Sequence, residues 1–115
     1  MRRRDNKHLA FLRTLECCIC GDNTSVEAAH IRMADARIAK PITGNSIKPD
    51  DRFVTPLCSA HHREQHSMSE RNFWKYYDMD PMLLSLALYS ISGDAEEASR
   101  IMAAQRARVN ILAAG

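Results

Sequence analysis

The chain has 115 residues, 16 Lys+Arg against 14 Asp+Glu for a net charge of +2, 45% apolar residues and four Cys, the proportions of one ordinary soluble globular domain. Its longest apolar stretch, Pro81 to Ile91, is about half of the roughly 20 residues a membrane span needs, and Arg13 cuts the apolar run Leu9 to Leu12 before it could act as a signal segment. A cytoplasmic protein without membrane contact is expected, with cysteines that are thiolate ligands or buried thiols rather than disulfides; at this length the core is modest, so a metal or a partner subunit is expected to add stability.

In chain order, the basic excess comes first: residues 1 to 20 carry five Lys/Arg and two acids. Arg2, Arg3, Arg4 and Lys7 form a basic arm suited to nucleic-acid phosphates. Leu9, Leu12 and Leu15, with Phe11 beside them and Asp5 as N-cap, predict a short amphipathic helix that leads into Cys17-Cys18-Ile19-Cys20-Gly21. Ser25 to Ile31 and Arg52 to Leu57 are short and β-permissive, which predicts a two-stranded hairpin around a long polar loop, with Ala28-Ala29 and Pro56 as its weak points. Ser59 is a candidate N-cap for a helix through His62 and His66. Three more helices follow: Glu70 to Tyr77, one opened by Asp80-Pro81, and one opened by Asp94 with Glu97 three residues later. The middle one is apolar nearly all round, through Met82, Leu83, Leu84, Leu86, Leu88 and Ile91, and must be covered on most sides by its neighbours or by another subunit. The last places Ala98, Ile101, Met102 and Gln105 on one stripe, with Arg106 and Arg108 toward its C-terminal end, where the helix dipole favours cations.

Two short-spaced ligand pairs stand out. Cys17-x-x-Cys20-Gly21 has the spacing of a zinc knuckle, and Cys58-x-x-His61 supplies a second pair, so together they make a Cys₃His set for structural Zn²⁺. Cys18 is expected to be a core thiol, and His62 is the alternative to His61 as fourth ligand. His62 and His66 are four apart on the predicted helix, so their rings project from one face and can chelate a divalent cation. His30, at the end of the first strand, approaches that ion if the hairpin folds beside the helix.

The knuckle, Val26-Glu27-Ala28-Ala29-His30-Ile31, Lys48-Pro49-Asp50-Asp51 and Pro56 to His66 resemble an HNH endonuclease of the ββα-metal (His-Me finger) type. They are most similar to the phage and prophage nucleases related to the recombination-enhancement function nuclease. The resemblance spans about residues 8 to 80 and implies an α+β fold. A zinc-stabilised ββα-metal nuclease core with the basic arm would occupy 1–80, behind an N-terminal helix. A helical C-terminal extension, 81–115, would pack on the core or on a second subunit, so a homodimer through these helices is one expected assembly. The implied activity is metal-dependent hydrolysis of DNA phosphodiesters. In that scheme His30 is the general base, His62 and His66 hold the catalytic ion, and Cys17, Cys20, Cys58 and His61 hold structural zinc. The catalytic ion would be Mg²⁺ or Mn²⁺, with Zn²⁺ or Ni²⁺ as alternatives, and a recombinase filament or another phage protein could direct cleavage.

Two positions depart from the family pattern. Many members carry Asp or His as a further ligand just before the base, where this chain has Ala29, and the middle Asn has no clear equivalent because Phe53 stands near its place. Asp51 is the candidate to supply the missing carboxylate as a metal ligand or to brace the loop. The residue types suit the reaction: a neutral imidazole can take a proton from water near neutral pH, a bound cation can neutralise phosphoryl charge, and Lys48, Arg52 and Arg63 can hold phosphates. The alternative expectation is a catalytically silent zinc module that binds nucleic acid or a protein partner.

Overall fold

The computed structural model describes residues 3–43 and 50–114, with side chains in the last helix as far as residue 107. Arg2 and Lys48 therefore lie outside the described residues. Helix α1 (Asn6–Arg13) starts where the Asp5 carboxylate accepts the His8 amide, as the N-cap reading requires. It ends at Thr14, one residue before Leu15. Leu15 is still buried with Leu12, so the three-residue spacing served the core rather than the helix at its last position.

Strands β1 (Val26–His30) and β2 (Val54–Cys58) pair antiparallel, Val26 opposite Cys58 and His30 opposite Val54. Pro56 is accommodated opposite Ala28 because its backbone faces away from β1: its carbonyl accepts the Cys18 amide at 2.9 Å, so its missing N–H removes nothing from the ladder. All five β2 residues are buried, and their lack of alternation reflects cover on both faces.

Helix α2 (Ser59–His66) follows β2 without a loop. Ser59 is not its N-cap: Cys58 holds that place with no side-chain cap bond, and the Ser59 hydroxyl pairs with that of Ser25 at 3.1 Å. Cys58 must stay extended to face Val26, and this moves the helix start past it. Ser69, which is not among the predicted caps, closes the start of α3 (Glu70–Tyr76) through the Asn72 amide. The predicted cap at Asp80 holds, through the Met82 and Leu83 amides at the start of α4 (Pro81–Ser90). Asp94 accepts the Glu97 amide at 3.0 Å before α5 (Ala95–Ala114). The Glu70 carboxylate also clips the chain leaving β1, accepting the amides of Arg32 and Met33 at 3.0 and 2.8 Å.

Among the described residues this is a small α+β fold of two strands and five α-helices. One core joins Leu12, Cys18 and Leu57 to Leu84, Leu88, Ala98 and Met102, so the helical tail packs on the strand pair. Met82 turns the other way, onto Ile31 and Phe53. Helix α4 is thus covered within one chain on every side but that of Leu83, which is 58% exposed. Arg106 does not serve the helix dipole: α5 continues beyond it, and its guanidinium reaches back to Glu16 at 2.6 Å and to the Cys17 carbonyl at 3.3 Å. No helix of the described residues is long and apolar enough to cross a membrane.

Candidate functional site

The ligand atoms of Cys17, Cys20, Cys58 and His61 all lie within 4.8 Å of one another. Cys20 Sγ is 3.9 Å from Cys58 Sγ, and His61 Nδ1 is 3.7 Å from Cys17 Sγ and 3.2 Å from Cys58 Sγ. Tetrahedral zinc with sulfur at ~2.3 Å and nitrogen at ~2.0 Å separates its ligand atoms by about 3.5–3.8 Å, so this set could hold a metal ion and is consistent with structural zinc. His61, rather than His62, completes it.

Local chemistry explains the convergence. The knuckle closes with the Gly21 amide on the Cys17 carbonyl at 2.9 Å and the Cys17 amide on the Asp22 carbonyl at 2.8 Å. Gly21 sits at φ +80°, a left-handed conformation that any side chain would strain. The Cys18 amide bond to Pro56 then docks the knuckle on β2, beside Cys58, and one turn of α2 brings His61 back over Cys58. Cys18 itself is fully buried, as expected of a core thiol, and burial pushes its pKa well up. The Cys20 thiol is pushed up to about 11, first by desolvation and then by the neighbouring Cys17 and Cys58 sulfurs. A dication offsets that mutual repulsion and favours the thiolates.

The other three candidate histidines, His30, His62 and His66, divide into two groups. His30 Nε2 is 2.7 Å from Asp51 Oδ1. Asp51 is buried, 2% exposed, and its other oxygen accepts the Asp5 amide at 2.8 Å; its carboxylate thus braces His30 and the N-terminal segment together. The Asp51 amide donates to the Arg3 carbonyl at 2.8 Å, and the Arg3 amide donates to Asp50 at 2.7 Å. The second group is on α2, where His62 and His66 face one another with Nε2 atoms 3.1 Å apart and His62 Nδ1 lies 2.7 Å from Glu27 Oε1. A pocket of about 430 Å³ is lined by Glu27, His62, Arg63, His66 and Ser67. Among the described residues no hydrogen bond or ring contact joins His30 to His62 or His66, and strand alternation places His30 and Glu27 on opposite faces of β1.

The basic residues also differ in circumstance. Arg52 has its guanidinium engaged by Asp50 through two bonds of 3.0 Å. Arg63 is exposed, lines the histidine pocket and forms no ion pair with a described residue. Arg3, Arg4 and Lys7 are exposed. A larger hollow of about 720 Å³, around Trp74 and Arg71, shares no residue with the histidine pocket, and Arg37 on its wall is neutralised by Asp35 and Asp80.

Sequence reasoning missed Asp5, Glu27 and Arg106. The sequence marks Asp5 only as a cap, yet it also accepts the Tyr89 hydroxyl at 3.1 Å and so ties α4 to the Asp51 brace. Its carboxyl is held below the usual range, chiefly by the His8 amide. For Glu27 a signal existed: it lies two residues before Ala29 and therefore on the same strand face as the absent ligand position.

No curated protein and no solved structure among those compared matches the chain. A family model does, over residues 1–90, from the basic arm to the end of α4. Since that match takes in the knuckle, both strands and all the histidines, the chain belongs to the family described as a protein of unknown function, DUF968.

Proposed function

We propose that the protein is an HNH-type, metal-dependent DNA endonuclease. The observation that carries this reading is the unit β1–β2–α2, an antiparallel pair running straight into a helix, with His30 closing β1 and the His62 and His66 Nε2 atoms 3.1 Å apart on α2. Two imidazole nitrogens bound to one ion at ~2.0–2.1 Å stand about that far apart. The Cys₃His cluster at the β2–α2 junction fits the same reading as its structural metal centre.

The partners of each side chain support the proposed roles. The Asp51 carboxylate can only accept, so in neutral His30 the proton sits on Nε2 and the lone pair on Nδ1 is left to receive a proton from water. The oxygen of that water bonds to phosphorus as the bond from phosphorus to the 3′ oxygen breaks. A divalent cation on His62 and His66 would neutralise charge on the phosphoryl and departing oxygens. Since His30 and Glu27 lie on opposite faces of β1, the phosphate would have to lie across the strand edge between His30 and that ion. Arg63, exposed on the same pocket wall and without an ion-pair partner among the described residues, would donate to the non-bridging oxygens. The exposed Arg3, Arg4 and Lys7 would add sequence-independent affinity.

Plasmid nicking tests the proposal. Zinc-loaded protein given Mn²⁺ or Mg²⁺ should nick DNA, and His30→Ala should cut about 10²- to 10⁴-fold more slowly with zinc content unchanged. Equal cleavage by the two proteins would remove His30 from the reaction. No cleavage under any metal or DNA form would leave the zinc-binding module as the better reading.

A further inference from the structure

We infer that Glu27 is the positioning residue of the α2 cation site, the carboxylate that fixes the His62 ring so that its Nε2 faces the ion. The inference rests on the reading of His62 and His66 as a cation site and adds a residue of different position and role.

The geometry is specific about which nitrogen does what. Glu27 Oε1 is 2.7 Å from His62 Nδ1, while the opposite ring nitrogen, Nε2, is 3.1 Å from His66 Nε2. An ionised carboxylate has no proton to give, so the Glu27 contact places hydrogen on Nδ1. Neutral His62 then presents a bare Nε2 lone pair toward His66, as a ligand must. Glu27 cannot itself bind an ion between the two Nε2 atoms, since it touches the far side of the ring. It compensates for Ala29 indirectly: the strand face that lacks a ligand instead orients one held by the helix.

Exposure argues against a role in stability. The Glu27 side chain is 51% exposed and that of His62 24%, and such exposed pairs contribute little to folding. Loss of a carboxylate that orients a metal-bound imidazole, by contrast, typically lowers metal affinity about 10- to 100-fold.

Mn²⁺ binding to the zinc-loaded full chain, followed by electron paramagnetic resonance, separates the possibilities. Glu27→Ala should weaken Mn²⁺ binding by about 10- to 100-fold while leaving zinc stoichiometry and the melting transition unchanged. Glu27→Gln, whose amide oxygen still accepts from Nδ1, should fall between Glu27→Ala and the unsubstituted protein. Nitrogen-15 spectra of the histidines before Mn²⁺ is added should show His62 protonated on Nδ1, with that preference lost in Glu27→Ala. Unchanged affinity and tautomer in Glu27→Ala, alongside loss of Mn²⁺ binding in His62→Ala, would overturn the inference and leave the cation site standing. Unchanged Mn²⁺ affinity in His62→Ala would overturn the cation site and the inference with it.

Discussion

Two neighbouring positions of α2, His61 and His62, hold the same residue type in opposite circumstances. At its first turn His61 enters a cluster in which four donor atoms from the knuckle, β2 and the helix already face one another. One residue on, His62 turns to an open pocket, meets one other imidazole, and has its second nitrogen occupied by a carboxylate. A closed donor set leaves no position for substrate and suits a structural ion, whereas two facing donors leave positions for water and phosphate. What an imidazole can do is therefore set by how many chain segments converge on it.

The largest expected effect breaks the closed cluster. Cys58→Ser should lose zinc and the cooperative melt together, because structural zinc contributes apparent binding free energy on the order of 10 kcal/mol, as much as the whole stability of a small domain. Circular dichroism melts with metal analysis check this, and a native melt without zinc would make the closed cluster and the open site energetically alike. Next comes Asp51→Asn, which replaces one of the two acceptor oxygens serving His30 and the Asp5 amide with a donor. A buried polar group left unsatisfied costs about 1–3 kcal/mol, so the urea midpoint should drop while zinc content holds.

His62→Ala sharpens the contrast from the open side: with its Glu27 partner half-exposed, stability should change by less than about 1 kcal/mol. The same urea titration measures it. The smallest effect is a pH slope from His8, which is fully buried. Burial pushes its pKa below 6.5, ahead of the opposing pull of Asp5 and Asp51. Its contribution to stability is therefore complete above about pH 6.5 and declines as pH falls toward the lowered folded value, because only the unfolded chain takes up the proton readily. His8→Gln should flatten the stability profile between pH 7 and the acid side relative to the parent chain, as read from urea midpoints at each pH.

Much was legible in the sequence because it depends on near neighbours. Caps at Asp5, Asp80 and Asp94, the proline at the start of α4, the glycine after the knuckle and the four-residue spacing of His62 and His66 all act within a turn or two of backbone. The Cys₃His set was legible too, since ligand types and short spacings are chemical requirements of the ion. Leu15 and Ser59 were misplaced because packing and strand pairing overrode local preference there.

Only the tertiary structure decided which polar group meets which. Asp51 lies 21 residues from His30 and 46 from Asp5, Glu27 lies 35 from His62, and Arg106 lies 90 from Glu16. Apolar periodicity and capping are read from local backbone geometry. A hydrogen bond between distant side chains needs both atoms within about 3 Å in the right direction, and that is settled when the strand pair, the helix and the N-terminal segment pack around one core.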